Sequence, residues 1–254
     1  MSLANFRGAE WAVSVSHAES ERFGLTVARA TVPRAAELVG LRDAIERVDA
    51  DIVILRSTAD RGDAMGVPVG GYRALPAGTL MYWEGRLDHV RDVEPSPHFQ
   101  TRTVGADDAD VVSDTIARVF AGYLNHYSVN PLLDDDLAAA GYLEWAERTV
   151  ANGSAGSVVL EADGVVVGVA TASSAEGEWE IELAGIVPDR QRGGLYAHLL
   201  RGIHEGARHA DANRVVISTQ SHNIGVQRAW ARLGYEPIDA IETVHLVREA
   251  LLPA

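Results

Sequence analysis

The chain has 254 residues, 47% of them hydrophobic, and a formal charge of −14 at pH 7; this length fits a main domain with a smaller companion. The acidic balance opposes broad attraction to nucleic acid or an anionic membrane surface, and no apolar run approaches the roughly 18 residues a membrane helix needs. The sequence holds no cysteine and no lysine, all 22 basic residues being arginine, which excludes disulfides, zinc-thiolate sites, a cysteine nucleophile, a P-loop lysine and a Schiff-base or pyridoxal-anchoring lysine.

From the N-terminus, β-rich runs near 11–15 and 24–32 predict strands, residues near 33–48 predict a helix, and 51–55 predict a further strand. Gly71-Tyr72 followed by residues 79–83 echoes Gly234-Tyr235 followed by residues 243–246, which suggests that the first part of the chain is a shortened relative of the second. The segment 92–103, with Pro95 and Pro97, is the expected linker. The expected domains are therefore a smaller N-terminal α/β domain over 1–95 and a main domain over 103–254.

Helical patterns over 107–122 and 134–150 flank the loop from Asn125 to Pro131. Residues 158–160 and 165–169 read as a hairpin turning at Asp163-Gly164. Over 179–186 the residues alternate, with Trp179, Ile181 and Leu183 expected on one face and Glu180, Glu182 and Ala184 on the other. After Pro188 comes a polar, glycine-bearing turn, and then Leu195, Leu199, Leu200, Ile203 and Ala207 recur at helical spacing. Residues 215–218 read as a buried strand, Asn223 as the cap of a helix that stops at Gly234, and residues 243–247 as a last strand. This mixed order indicates an α/β fold with a central sheet flanked by helices.

The most informative stretch joins the strand end at Ile186-Val187-Pro188 to a helix start through Gln191-Arg192-Gly193-Gly194-Leu195-Tyr196. A helix N-terminus concentrates unpaired N–H groups and partial positive charge, so a pyrophosphate is stabilised there without lysine. Glycine permits close backbone approach. An ordinary strand-to-helix connection is the plain alternative for a lone Gly-Gly.

The stretch resembles the Gln/Arg-x-x-Gly-x-Gly/Ala signature of the GNAT superfamily of N-acyltransferases, with Gln191 first, Gly194 central and Tyr196 where Gly or Ala is usual. Asn223, ahead of a helix ending in Leu233-Gly234-Tyr235, is similar to a second family feature, and the resemblance spans about 103–248. It implies a GNAT-like mixed sheet, preceded by a truncated GNAT-like α/β domain. It also implies a gap where the strand 179–187 parts from the strand 215–218 and takes the pantetheine arm of acetyl-CoA or another short acyl-CoA. Backbone groups near Ala184, Ile186 and Val187 would pair with pantetheine, amides from Arg192 to Tyr196, including Gly193, Gly194 and Leu195, would bind pyrophosphate, and Asn223 would contact the pantetheine side.

Direct transfer needs a neutral amine, yet an alkyl amine with a pKa near ~10 is protonated at neutral pH. Glu182 stands where many family members carry a base glutamate, with Glu180 second; a solvent-facing strand glutamate is the plain alternative. Where the family often places a tyrosine acid, seven residues past the asparagine, this chain has Trp230, whose indole cannot supply the proton and which is expected in the core. Tyr196, His222 and Tyr235 are the candidate substitutes, or the thiolate leaves unassisted. The resemblance places His126, Tyr127 and Asn130 at the acceptor site; an exposed helix connection is the plain alternative. His198, His204 and His209 share a helix but read as a solvated face, and no metal is expected.

The run His17-Ala18-Glu19-Ser20-Glu21-Arg22-Phe23-Gly24-Leu25 is similar to that of dTDP-fucosamine acetyltransferases, which implies an amino sugar nucleotide as acceptor. A peptide or an amine antibiotic is the alternative acceptor, and an acyl-CoA-binding or sensing module without catalysis is the alternative function. A dinucleotide-binding fold is disfavoured because the glycine turn follows an antiparallel meander. The expected partners are a small-molecule amine, with no nucleic acid and no membrane, in a monomer or homodimer. No apolar leader opens the chain, so a cytoplasmic location is expected.

Overall fold

The computed structural model describes residues 2–151, 156–175 and 177–253. In chain order the elements are β1 (Ala12–Val15), α1 (His17–Phe23), β2 (Val27–Val32), α2 (Leu41–Val48), β3 (Ile52–Thr58), α3 (Gly62–Met65), β4 (Tyr72–Arg86), β5 (Phe99–Thr103), α4 (Ala109–Phe120) and α5 (Asp135–Ala151). There follow β6 (Val158–Ala162), β7 (Val165–Ala175), β8 (Glu178–Ile186), α6 (Leu195–His209), β9 (Arg214–Gln220), α7 (Ile224–Arg232) and β10 (Glu236–Arg248). Among the described residues no helix is long and apolar enough to cross a membrane.

The chain packs into two compact units, each discontinuous in sequence. The first comprises Met1–Met81, Leu124–Ala138 and Asp239–Ala254, and the second Tyr82–Tyr123 and Ala139–Ile238. A cut at the proline-bearing segment 92–103 does not describe this division. Phe99–Thr103 of that segment is β5, paired antiparallel with β6, because its alternating side chains meet a strand edge that would otherwise stay open.

In the first unit β1 pairs antiparallel with β2, β2 parallel with β3, and β3 antiparallel with β10. Every residue of β3 is buried, which explains its continuous apolar run: both faces are covered. Val53 and Leu55 join Ala28, Ala30 and α2's Leu41 and Ile45, whereas Ile52 and Ile54 join Val27, Tyr127 and Leu133. Burial of Leu41 and Ile45 contributes about 1.5–3 kcal/mol each.

Two expectations for this unit are corrected. The helix expected over 33–48 forms only as α2, because Gly40 stands at its start with φ 77° and the Arg61 guanidinium binds the carbonyls of Arg34 at 2.6 Å and Ala36 at 2.8 Å. Those carbonyls are withdrawn from helical pairing. The strand expected over 24–32 begins only at Val27; α1 precedes it and ends at Gly24 in the left-handed region, φ 65°.

The second unit has the expected mixed sheet flanked by helices. β5, β6, β7 and β8 form an antiparallel run, and β8 pairs parallel with β9. The β6–β7 turn has Asp163 and Gly164 at φ 51° and 76°, the two left-handed residues that suit the twist of a two-residue hairpin. One sheet face packs on α6 through Leu199, Leu200, Ile203 and Ala207. The other packs on α4 and α5 through Val112, Ile116, Ala146 and Val150.

Candidate functional site at the end of the eighth strand

The corner between β8 and α6 is built from a short 3-10 turn, Pro188–Arg190, and an extended Gln191. Gln191 Nε2 donates to the Ile186 carbonyl at 3.0 Å, so the side chain that opens the motif pins the loop to the strand it leaves. Arg192 and Gly194 lie in the left-handed region, φ 72° and 77°. An arginine there costs roughly 1–2 kcal/mol, the kind of local strain that collects at binding sites.

Among the described residues no hydrogen bond engages the N–H groups of Arg192, Gly193, Gly194, Leu195 or Tyr196; the first closure is Ala197 N–H to the Gly194 carbonyl at 3.0 Å. Gln191 to Gly194 are exposed and Leu195 is buried. The corner therefore offers unpaired donors at the N-terminus of a 15-residue helix, a suitable place for an anion.

Beside this corner the sheet opens. The parallel ladder of β8 with β9 ends at Ile181↔Ile217, while β8 stays paired with β7 as far as Ile186↔Gly168. Val187 N–H donates to the Val167 carbonyl at 2.9 Å, so strand alternation turns the backbone groups of Ala184 and Ile186 the other way. Val187 itself has both groups engaged, since its carbonyl accepts from Arg190 N–H. Gly185 admits α4 closely: a Cβ there would lie 2.2 Å from Val119 Cγ1.

A bulge changes the expected alternation of β8. Thr171 and Ala172 oppose Leu183 and Ile181, leaving Glu182 as an extra residue. Trp179 and Ile181 face the α6 core as expected, but Leu183 crosses to the α4–α5 core and Ala184 packs on the α6 core. Glu182 points to α5, where its Oε2 accepts from Trp145 Nε1 at 3.0 Å and Thr149 Oγ1 at 2.7 Å. It is half-buried rather than solvent-facing. Glu180 is buried, opposite Ser173 and Val216.

Trp230 is buried and meets Trp83 edge-on at 6.1 Å between centroids, as a core residue should. Its Nε1 donates to the Tyr196 hydroxyl at 3.1 Å. Burial pushes the Tyr196 phenol well above its usual range, so the hydroxyl keeps its proton. His222 is exposed. Asn223 does not cap α7 with its side chain; its Nδ2 donates instead to Thr219 Oγ1 at 3.1 Å, and the Tyr123 hydroxyl lies 3.5 Å from the same oxygen. The solvated face expected for the α6 histidines also needs correction at His204, which is buried with Nε2 2.7 Å from the Tyr235 hydroxyl and is lowered to about 4 by burial. Tyr235 is itself buried and engaged there.

His126, Tyr127 and Asn130 belong to the first unit and are buried, so the exposed helix connection of the plain alternative is corrected. Asn125 caps a 3-10 turn over His126–Val129 and turns these side chains inward. The Tyr127 hydroxyl donates to Glu19, which also binds Arg29 Nε at 2.6 Å. Burial raises the Glu19 carboxyl, but the Arg29 bond and charge and the Tyr127 hydroxyl outweigh it and hold it at about 2. Asn130 Nδ2 lies 3.2 Å from His245 Nδ1, and His245 Nε2 lies 3.0 Å from His126 Nδ1. An amide N–H can only donate, so His245 accepts at Nδ1 and donates from Nε2 to His126.

Sequence reading missed Glu19, Arg29 and His245 in this cluster, and Trp145 and Thr149 around Glu182. The i, i+4 spacing of Trp145 and Thr149 was a visible signal; the partner strand was not.

An α/β scaffold with a parted sheet and an amide-lined strand-to-helix corner defines the class. Residues 121–235 match the model of the Acetyltransferase (GNAT) family. The fold is similar to that of a GCN5-related N-acetyltransferase from Sphaerobacter thermophilus, at 15% identity and TM-score 0.65 over 94% of this chain and 77% of that one. It is also similar to a GCN5-related N-acetyltransferase from Kribbella flavida, at 16% identity and TM-score 0.61 over 96% and 91%. A tandem GNAT protein from the clavulanic acid biosynthesis pathway aligns at 14% identity and TM-score 0.58 over 90% and 76%. No curated protein matches the sequence. Residues 121–235 are thus similar to the GNAT family model, within a fold similar to those of these neighbours.

Proposed function

We propose that the protein is an N-acyltransferase that moves an acetyl or other short acyl group from acyl-CoA to a primary amine of a small molecule. The observation that carries this reading is the run of unpaired amides from Arg192 to Tyr196 beside the place where β8 leaves β9. Those donors suit a diphosphate, and the backbone groups of Ala184 and the Ile186 N–H face the opened ladder, where a pantetheine arm would pair, the Ile186 carbonyl being held by Gln191. Acetyl-CoA supplies an activated thioester carbonyl there.

In this reading Glu182 takes a proton from the acceptor's ammonium or attacking nitrogen, its Oε2 already held by Trp145 and Thr149. Tyr196 replaces the family's tyrosine acid: Trp230 supplies the N–H that its oxygen accepts, leaving the phenolic proton for the leaving thiolate. His222 is a less constrained substitute, being exposed. Asn223 and Thr219 line the β9 side. Glu180 stands on the acceptor side, and His126, Tyr127 and Asn130 support the first unit.

The amino sugar nucleotide is the acceptor of choice, on the strength of the run from His17 to Leu25, and residues 1–95 are a reduced GNAT-like half. Gly71 and Gly234, at φ 77° and 87°, each precede a long strand, β4 and β10. A second reading, an acyl-CoA-binding module without turnover, is favoured by the buried Trp230 in the acid's place.

A thiol-release assay over amino sugar nucleotides, peptides and amine antibiotics tests the proposal, with acetyl-CoA binding followed in parallel. Turnover with one class, and its loss by about 10²–10⁴-fold in Glu182→Gln with binding intact, supports the enzyme. Tight binding with no turnover on any amine selects the module.

A further inference from the structure

We propose that Trp145 and Thr149, one turn apart on α5, are positioning residues that direct proton uptake by Glu182 to Oε1; this inference rests on the reading of Glu182 as the base. Both donors converge on one carboxylate oxygen, Oε2, at 3.0 Å and 2.7 Å. Among the described residues Oε1 has no hydrogen-bond partner.

The two donors differ in kind. An indole N–H donates and never accepts, so Trp145 keeps Oε2 an acceptor in every protonation state, and the incoming proton goes to Oε1. Thr149 has one hydroxyl hydrogen and two acceptors in reach, Glu182 Oε2 and the Trp145 carbonyl at 3.0 Å. While Glu182 is ionised the hydrogen points to Oε2, the charged and closer partner. When the amine's proton bonds to Oε1, the carboxyl becomes neutral and the hydroxyl hydrogen swings to the Trp145 carbonyl. The N–H bond of the amine breaks, the O–H bond at Oε1 forms, and no donor is stranded. The bulge supports this arrangement, because the extra residue on β8 is Glu182 itself and its side chain thereby reaches α5.

The test compares Trp145→Phe, Thr149→Val, Thr149→Ser and Glu182→Gln in the full chain, with folding checked by thermal melts. Thr149→Val and Trp145→Phe are expected to lower kcat roughly tenfold or more with the KM for acetyl-CoA unchanged, and Thr149→Ser, which keeps the hydroxyl, is expected to restore most of it. A merely structural contact would change melting and leave kcat alone. If Glu182→Gln abolishes turnover while Thr149→Val and Trp145→Phe stay within twofold of wild type, this inference fails and the base reading stands. If Glu182→Gln stays active, the base reading fails with it. Independently of turnover, the Trp145 indole proton is expected to shift upfield in Glu182→Ala by NMR; an unmoved resonance overturns the contact.

Discussion

Acidification is expected to weaken the first unit before its buried carboxylate, Glu19, is neutralised. His245 lies at about 4 instead of the ordinary 6.5, because burial disfavours its charged form and the Arg56 guanidinium adds to the cost. His126, bonded to it, is also held well below its ordinary value, first by burial and then by Arg56. For a histidine lowered in the folded state, the unfolded chain binds the proton first, so stability is complete above about 6.5 and is lost as pH falls towards 4. Roughly 1.4 kcal/mol per pH unit gives a loss of about 3 kcal/mol from His245 alone across that window. Glu19 does not contribute there, since its carboxyl sits at about 2 and its ion pair with Arg29 survives to lower pH. Urea unfolding at a series of pH values between 7.5 and 4, in wild type and His245→Gln, measures the effect. A flatter pH dependence in the variant is expected; parallel curves would refute the argument that buried neutral histidines set the acid limit.

Other outcomes follow from the second unit. Gly194→Ala meets no atom within 4 Å but must hold φ near 77°; it is expected to cost about 1–2 kcal/mol and to weaken acetyl-CoA binding, read by calorimetry, more than it lowers the melting temperature. Gly185→Ala forces a Cβ to 2.2 Å from Val119 Cγ1, so β8 or α4 must shift at about 1–3 kcal/mol, seen as a lower melting temperature. Trp230→Phe keeps the core ring but removes the donor to Tyr196. It is expected to reduce kcat for thiol release while the KM for acetyl-CoA holds; equal kcat values would remove Tyr196 as the acid.

Much of the second unit was legible because its signals are local. The Asp163-Gly164 turn, the helical period from Leu195 to Ala207 and the Gly234 stop each depend on residues within one or two turns of each other. The parting of β8 from β9 was legible through the family resemblance alone, since no periodicity reveals where a ladder ends. What escaped depends on distant partners. Arg61 reaches back to residues 34 and 36 and prevents a helix there. β5 takes its identity from β6, some sixty residues on. The strict alternation expected on β8 failed at one bulged residue, Glu182, the residue assigned the chemistry; sites that break a local rule are where function concentrates. His126 looked like a surface residue because its partner, His245, is 119 positions away.

The most direct test of the account is a ¹⁵N-HSQC titration of the labelled full chain with acetyl-CoA, with NADH as control. The amides of Arg192, Gly193, Gly194, Leu195 and Tyr196 are expected to move together and saturably with acetyl-CoA and to stay in place with NADH. If acetyl-CoA binds while those five resonances remain still, or if it does not bind at all, the corner is an ordinary connection and the proposed chemistry has no donor.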